Sequence, residues 1–362
     1  YLTKMLNAVV PLASQDDVFL FANQFGRPLA VPASLQHPHV HVRMFHWPNK
    51  GLNAGFTFFH QPKLDHLLGG LDLIWMPNLN FVALSPDVKL VVTCHDLSFE
   101  LYPEFFSLKH RLWHRLIQPH QLYRRANHVI ANSQNTKQDL LRHYQIPPEK
   151  ISVIYPGADV QTLPNPRERE RVRTRYALPS SYLFHVGTME PRKNVESIMR
   201  AFQILACKHP HLHLVLAGKM GWQSKTIRLV QRVLPDARRV HVLGYVPDQD
   251  LAPLTAGAQA TVFPTYYEGF GFPPLESMAA GTPVVTSPHS SLLEVGGDAV
   301  LYADPYNVAE IAAVVDELLM HPELSEALRT RGRKQLTRFS WESTARKTLK
   351  CLEDVVQSAH YS

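Results

Sequence analysis

From Asp72 onward, short runs rich in β-branched and aromatic residues alternate with longer stretches whose apolar positions recur at helical spacing. That alternation is the pattern of parallel sheets joined by crossover helices. It predicts strands at Leu73–Trp75, Lys89–Thr93, His128–Ala131 and Ile151–Ile154. A second series follows at Tyr182–Val186, Leu212–Ala217, Val240–Leu243, Gln259–Phe263, Pro283–Thr286 and Val300–Tyr302. Between the two series lies Gln161–Tyr176, where Pro164 and Pro166 precede the charged run RERERVRTR, which puts a domain boundary near residue 178. The expected fold class is α/β, with two Rossmann-like domains at residues 1–178 and 179–338. After a break at Phe339, Trp341–Ala359 reads as one long helix, so 339–362 is expected to return to the first domain.

At the other end, Met5–Ala13 reads as an amphipathic helix and not as a signal-peptide core, because Asn7 and Pro11 interrupt it and no basic cluster precedes it. A spanning helix needs about 18 uninterrupted apolar residues. The best stretch, Leu71–Leu84, contains Asp72, Pro77 and asparagines.

Composition narrows the class without naming a chemistry. The chain has 362 residues, 45% hydrophobic and 19% charged, which suits two buried cores and excludes disorder. Lys plus Arg number 37 against 31 Asp plus Glu, a formal charge of +6 that favours anionic partners, and 20 histidines add to it as the pH falls. Cys94, Cys207 and Cys351 lie far apart and form no C-x-x-C pair, so neither a disulfide framework nor a zinc ribbon is expected and the default compartment is reducing and cytoplasmic.

The most informative segment is EGFGFPPLESMAAGTPVV, which begins at Glu268 just after an expected strand. Pro273 and Pro274 suit the first turn of a helix and Gly281 its exit, so Glu276 is expected in that first turn. Gly269, Phe270, Gly271 and Phe272 form the approach, and free N–H groups near Gly271 and Phe272, at the positive end of the helix dipole, make an anion site suited to a diphosphate. Carboxylates beside such a site are suited to accept hydrogen bonds from sugar or ribose hydroxyls, which makes Glu268 and Glu276 paired hooks around a phosphate cradle. The alternative is an ordinary loop with a helix-capping glutamate.

A second segment, HVGTMEPRKN, runs from a strand ending at Val186 through Gly187 to Arg192 and Lys193, with Asn194 as expected N-cap of the next helix. Cations at the carboxyl end of a parallel strand project to where such sheets bind ligands, and an Arg–Lys pair there can grip phosphate oxygens. A solvated basic turn is the bland alternative.

These segments resemble the retaining glycosyltransferases of family 4, which have the GT-B fold of two Rossmann-like domains facing across a cleft. Glu268 and Glu276 reproduce the E-x7-E motif of that family, and Arg192 with Lys193 its diphosphate-binding pair. VVTCHDLSFELYPEFF, around His95, is like the mannosyltransferase branch. The resemblance implies that Glu268 contacts the donor sugar, Glu276 the ribose, Arg192 and Lys193 the diphosphate, His95 the donor sugar, and backbone near Gly244 and Tyr245 the nucleobase. It further implies a nucleotide-sugar donor, GDP-mannose in preference to a UDP-sugar, and a saccharide or polyprenyl-linked acceptor. Substitution would proceed at the front side with retention, assembled by domain closure. Members of that family open with a strand and a Gly-rich turn, whereas this chain begins at Tyr1 in what should be the following helix, so the first strand is expected to be absent.

Other signals carry less. His37, His39 and His41, and again His209, His211 and His213, alternate as they would along one side of a strand, but no Cys or carboxylate accompanies them at ligand spacing, so no structural metal is expected. No cofactor is expected either, because Arg192, Lys193 and the helix dipole already oppose a leaving diphosphate. SLKHRLWHRLIQPHQLYRRA aligns Leu108, Leu112, Trp113, Leu116 and Ile117 on one stripe, expected to pack on its own domain while the basic face meets solvent, anionic headgroups or a polyprenyl diphosphate. Neither G-x-G-x-x-G nor a P-loop occurs, and aromatic residues do not interleave with the positive charge as in nucleic-acid modules. A nucleotide-sugar epimerase and a silent sugar-nucleotide-binding subunit stay as competing readings.

Overall fold

The computed structural model describes residues 1–25, 32–159, 163–221 and 236–358. The described chain forms two units, each built on a parallel sheet. One comprises Tyr1–Leu97, Leu108–Gly157 and Ser340–Ser362, the other Ser98–Ser107 and Ala158–Phe339.

In the second unit, strands β7 (Tyr182–Val186), β8 (His213–Ala217), β9 (Val240–Gly244), β10 (Ala260–Phe263), β11 (Val284–Thr286) and β12 (Leu301–Tyr302) lie side by side in the order β12-β11-β10-β7-β8-β9. Chain order therefore runs outward in opposite directions from β7 and from β10, and the carboxyl ends of these neighbours form a topological switch point. Alternate residues fill the two faces of the sheet. Leu183, Leu214, Leu216 and Val262 pack against the helices Val195–Lys208 and Val308–Met320, while Phe184, Val215 and Ala217 pack against Val172, Val246 and Leu254. Each fully buried side chain of this size stabilises the unit by about 1.5 to 3 kcal/mol.

The chain enters this unit at Ala158, earlier than the expected boundary near 178. The charged run is the reason. It forms the helix Pro166–Arg175, opened by a reciprocal capping box between Asn165 and Glu168. That helix and the residue after it dock on the fully buried carboxylate of Asp250, which Arg171 meets at 2.7 Å, Arg175 at 3.0 Å and Tyr176 Oη at 2.9 Å. Gln161, where the expected linker begins, lies outside the described residues.

The first unit holds a four-stranded parallel sheet, β3 (Leu73–Met76), β4 (Lys89–Cys94), β5 (His128–Ala131) and β6 (Ile151–Val153), in chain order. The helix Trp341–Gln357 packs there, with Cys351, Leu352 and Val355 against Val91, Ile130 and Ile154. Thr344 Oγ1 donates to the Tyr155 carbonyl at 2.7 Å. Ala345 meets Met5 and Val9 of the helix Leu2–Val9. Ala359, the expected end of the C-terminal helix, is outside the described residues.

A separate parallel pair, β1 (Val18–Asn23) and β2 (Val40–Phe45), has no counterpart among the predicted strands. A cavity of about 1040 Å³ lies between β1 and β3, lined mainly by apolar side chains of this unit, among them Phe19, Phe21, Ile74 and Met76.

The histidine trios do not line strand faces. Only His41 and His213 lie within strands, bonded to Asp17 at 3.0 Å and to His241 at 2.9 Å. The basic helix Leu108–Ile117 also departs from expectation. Ile117 is buried, but Leu108, Leu112 and Leu116 are 80%, 57% and 38% exposed. The three cysteines are unpaired, and among the described residues no helix is long and apolar enough to cross a membrane.

Candidate functional site

The switch point of the second unit gathers the charged residues of both sequence segments. Strand β7 ends at Val186, Gly187 follows, and a 3-10 turn at Pro191–Lys193 turns Arg192 and Lys193 back toward the end of β10. The Tyr266 N–H donates to the Arg192 carbonyl at 3.1 Å, which fixes that turn against the loop holding Glu268. Arg192 Nη1 lies 3.0 Å from Glu268 Oε2, and Lys193 Nζ lies 2.6 Å from Glu268 Oε1. Arg192 also donates to the Tyr267 carbonyl at 2.7 Å and to Glu190 at 3.0 Å. The Lys193 ammonium sits over the Phe263 ring, 5.1 Å from its centroid.

All three side chains are nearly withdrawn from solvent, at 15%, 12% and 10% exposure for Arg192, Lys193 and Glu268. Burial pushes the Glu268 carboxyl pKa up, but the charges and hydrogen bonds of Arg192 and Lys193 outweigh it and hold the pKa below the usual range. Glu268 is ionised at neutral pH. Glu268 is thus one anion held between two cations, with Glu190 as a second carboxylate on Arg192, at the carboxyl edge of the sheet.

The backbone on either side of Glu268 is held by two serines that sequence reasoning did not single out. The Glu268 N–H donates to Ser290 Oγ at 2.9 Å, and Ser291 Oγ–H lies within reach of the carbonyls of Glu268, at 2.8 Å, and Phe270, at 2.5 Å. Phe270 is buried and meets Phe272 edge-on at 5.2 Å. Gly271 adopts φ +120°, a conformation side chains rarely take, and precedes the helix Phe272–Ala279 as its N-cap. Because the helix begins at Phe272 and not at the prolines, Glu276 is its fifth residue and belongs to the second turn, not the first as expected. Pro273 and Pro274 carry no N–H and Leu275 N–H is the first to bond within the helix, so the free donors at its start are those of Gly271 and Phe272. Glu276 reaches solvent. Desolvation by the surrounding protein, with the charges of Asp159 and Asp248, holds its carboxyl above the ordinary value.

Asn194 occupies the N-cap position of the helix Val195–Lys208, but its side chain makes no cap. Its backbone is left-handed, and the amide donates to the carbonyls of Pro264 and Pro305 at 3.0 and 2.7 Å, tying β7's loop to β10's. A Cβ on Gly218, after β8, would lie 1.9 Å from the Gly187 carbonyl oxygen, so only glycine permits the close approach of these two loops. Gly244 ends β9, and Tyr245 beyond it is 63% exposed with the Lys219 ammonium 5.1 Å from its ring centroid.

His95 belongs to the first unit and is described there alone. It follows β4, its Nε2–H lies 2.8 Å from the Pro77 carbonyl, and its ring packs edge-on against Tyr1 at 4.7 Å. Burial lowers its pKa, so the imidazole is neutral. The segment after it, Ser98–Ser107, counts with the second unit, where Phe105 stacks on Tyr266 at 5.7 Å and Tyr102 meets Tyr267 at 5.5 Å. Among the described residues no group of three or more His, Cys, Asp or Glu is arranged to hold a metal ion.

Comparison with known proteins agrees with this geometry. Residues 166–335 match the family described as glycosyl transferases group 1, and residues 10–162 match glycosyltransferase family 4. The chain is 35% identical to the O-antigen chain mannosyltransferase B of Escherichia coli over 265 residues, 72% of this chain and 69% of that protein. It is 27% identical to the serotype-specific mannosyltransferase WbdA of Escherichia coli over 281 residues, 75% of this chain but only 34% of WbdA, so the match spans about a third of that relative. Among solved structures, the sucrose-phosphate synthase of Thermosynechococcus elongatus superposes with a TM-score of 0.74 at 21% identity, covering 97% of this chain and 92% of that one. At that identity the likeness speaks to the fold, which is the α/β, parallel-sheet GT-B architecture. With both halves matched to its family descriptions and a relative at 35% identity, the chain belongs to glycosyltransferase family 4 and is a glycosyltransferase.

Proposed function

We propose that the chain transfers mannose from GDP-mannose, with retention of anomeric configuration, to a saccharide or lipid-linked saccharide acceptor in polysaccharide synthesis. The observation that carries the site assignment is the Arg192–Glu268–Lys193 cluster at the switch point. Two cations side by side suit a diphosphate, and the carboxylate between them suits sugar hydroxyls. As the glycosidic bond breaks, negative charge grows on the departing phosphate, and Arg192 and Lys193 oppose it. Glu268, ionised, orients the sugar and steadies its developing positive charge. The phosphate itself takes the acceptor proton from the same face, which gives retention. Glu276 would accept from ribose hydroxyls, Gly187 and the Gly269–Pro273 segment would line the diphosphate, the backbone at Gly244 and Tyr245 would meet the base, and His95 would contact the donor sugar. No metal is required for charge neutralisation in this scheme, since the two cations supply it.

The mannose assignment is supported by the two mannosyltransferase relatives, and the base by the resemblance alone. A calorimetric panel of GDP, UDP and ADP tests it, because a ligand of the native state stabilises by RT ln(1 + [L]/Kd). Preference for UDP discards the guanine assignment. Release of nucleoside diphosphate only when acceptor is present separates transfer from epimerisation, and binding without release identifies a silent subunit. NMR of the product anomer decides retention.

Contact with a membrane surface is part of the proposal. Leu108, Leu112 and Leu116, exposed at one-turn spacing and flanked by Lys109, Arg111 and Arg115, suit an anionic interface. Binding to phosphatidylglycerol vesicles that disappears in Leu112→Ser/Leu116→Ser supports it; equal binding by that variant refutes it.

A further inference from the structure

Beneath the cation pair lies a histidine to which neither the fold nor the family assignment gives a task. His185, in β7, is fully buried. Its Nδ1 lies 2.9 Å from the Val262 carbonyl oxygen of the neighbouring strand. A carbonyl only accepts, so Nδ1 carries the proton. Nε2 is then a bare lone pair, and it has no hydrogen-bond partner. The ring stacks on Phe263, 5.7 Å between centroids and 22° between planes, the same ring over which the Lys193 ammonium sits. Nε2 faces the notch at Gly187: a Cβ placed on that glycine would lie 3.8 Å from His185 Nε2 and 3.7 Å from Lys193 Cε. The acceptor atom and the last methylene of the lysine thus border the same notch.

A buried acceptor left unpaired costs about 1 to 3 kcal/mol, and this one borders the same notch as a buried lysine. The lysine explains it. The ammonium lies 2.6 Å from Glu268 Oε1, the contact a bound diphosphate would compete with. We propose that His185 is a positioning residue for Lys193, its Nε2 lone pair accepting an N–H of the ammonium when a diphosphate draws the lysine away from Glu268. This rests on the reading of the site as a diphosphate clamp. A neutral acceptor suits the task where a second carboxylate would not: it fixes the direction of the ammonium without cancelling the charge the phosphate needs. Burial and the neighbouring lysine keep the imidazole neutral, with its pKa pushed down to about 4.

The test is a double-mutant cycle read by calorimetry with GDP, UDP and ADP on wild type, His185→Phe, Lys193→Ala and the double variant. Phe preserves the stacking ring and removes the acceptor. Losing one hydrogen bond to a charged group predicts about 10- to 150-fold weaker diphosphate binding in His185→Phe, less than about twofold further loss when the change is made on Lys193→Ala, and recovery in His185→Gln to within about threefold of wild type. An equal loss in both backgrounds means that the ring only packs, and overturns the proposal; so does unchanged affinity in His185→Phe. Wild type that binds none of the three nucleotides fails the clamp reading instead. Should His185→Phe not fold, the imidazole ¹⁵N spectrum of labelled wild type decides: the Nδ1–H tautomer is expected, with an Nε2 resonance that shifts on GDP addition and does not in Lys193→Ala. An Nε2–H tautomer, or no shift, overturns it.

Discussion

Glu268 occupies both cations that the proposed donor would need, so in the proposed scheme it would be at once a sugar contact and a competitor of the diphosphate. Replacing it by Gln keeps the shape and removes the charge. Two contacts of 3.0 and 2.6 Å are weakened, each a gross attraction of about 6 kcal/mol at an effective dielectric near 20, most of it offset by desolvation. Without ligand, the variant holds Arg192 and Lys193 buried against a neutral amide, and only Arg192 keeps a second carboxylate, Glu190, at 3.0 Å. Breaking a buried pair in this way costs about 3 to 5 kcal/mol of folding stability, and Glu190 puts the expectation at the low end. A diphosphate then restores what Gln lacks, so the nucleotide should bind about tenfold more tightly to Glu268→Gln than to wild type and raise its unfolding temperature more. Turnover should fall in the same variant by about 2 to 4 kcal/mol of transition-state stabilisation, since the charge opposing the sugar's positive character is gone. The assay is a thermal scan and a calorimetric titration with and without GDP, beside initial rates with acceptor. Weaker nucleotide binding together with wild-type turnover would refute both the competition and the electrostatic role.

Three further expectations follow from other contacts. Asp250→Asn should destabilise the chain by about 2 kcal/mol, below the usual cost of a broken buried pair because Arg171 and Arg175 are each 48% exposed and can turn to water. Despite burial, Arg171, Tyr176 and Arg175 hold the Asp250 carboxyl below its ordinary range, so its contribution is complete above that range and is lost as pH falls through the lowered value; urea unfolding between pH 7 and 3 should show a shallower acid loss in the variant, and an unchanged slope contradicts the assignment. Gly218→Ala, with its Cβ 1.9 Å from the Gly187 carbonyl, should cost about 3 kcal/mol or more and abolish nucleotide binding; a wild-type melting temperature and GDP affinity would show that the loops can separate. Chelation with EDTA should leave transfer largely intact, and complete loss restored by Mg²⁺ or Mn²⁺ would require a metal site that the cation pair does not replace.

The strands of the second unit were legible because a parallel sheet covered on both faces writes its strands as short apolar runs, and β7, β10 and β11 are buried almost throughout. Strands β1 (VFLFAN) and β2 (VHVRMF) carry a short apolar run and an alternation of their own, but they lie ahead of the strand–helix rhythm that starts at Asp72 and so are not among the expected strands. The sequence could separate the Arg192–Lys193 turn from the Glu268 loop but could not pair them, because 75 positions divide Lys193 from Glu268 and only the β7–β10 adjacency closes that distance. Glu276 was misassigned by one turn, as Gly271 rather than the prolines starts its helix. Ser290, Ser291 and His185 gave no signal: a serine in a loop or a histidine in an apolar strand is ordinary until its neighbours are known.

The interleaving of the two units constrains how the chain can mature. The backbone passes between them after Leu97, Ser107, Gly157 and Phe339, so neither corresponds to a contiguous stretch of sequence. The first unit's sheet is packed by Trp341–Gln357, which is synthesised after every described strand of the second unit, the last of them ending at Tyr302. Vectorial synthesis therefore reverses the usual order in which the amino-terminal domain consolidates first. Until that helix emerges the first unit keeps this apolar sheet face uncovered, and a chain cut before Trp341 would hold a consolidated second unit joined to a first unit unable to close its own core.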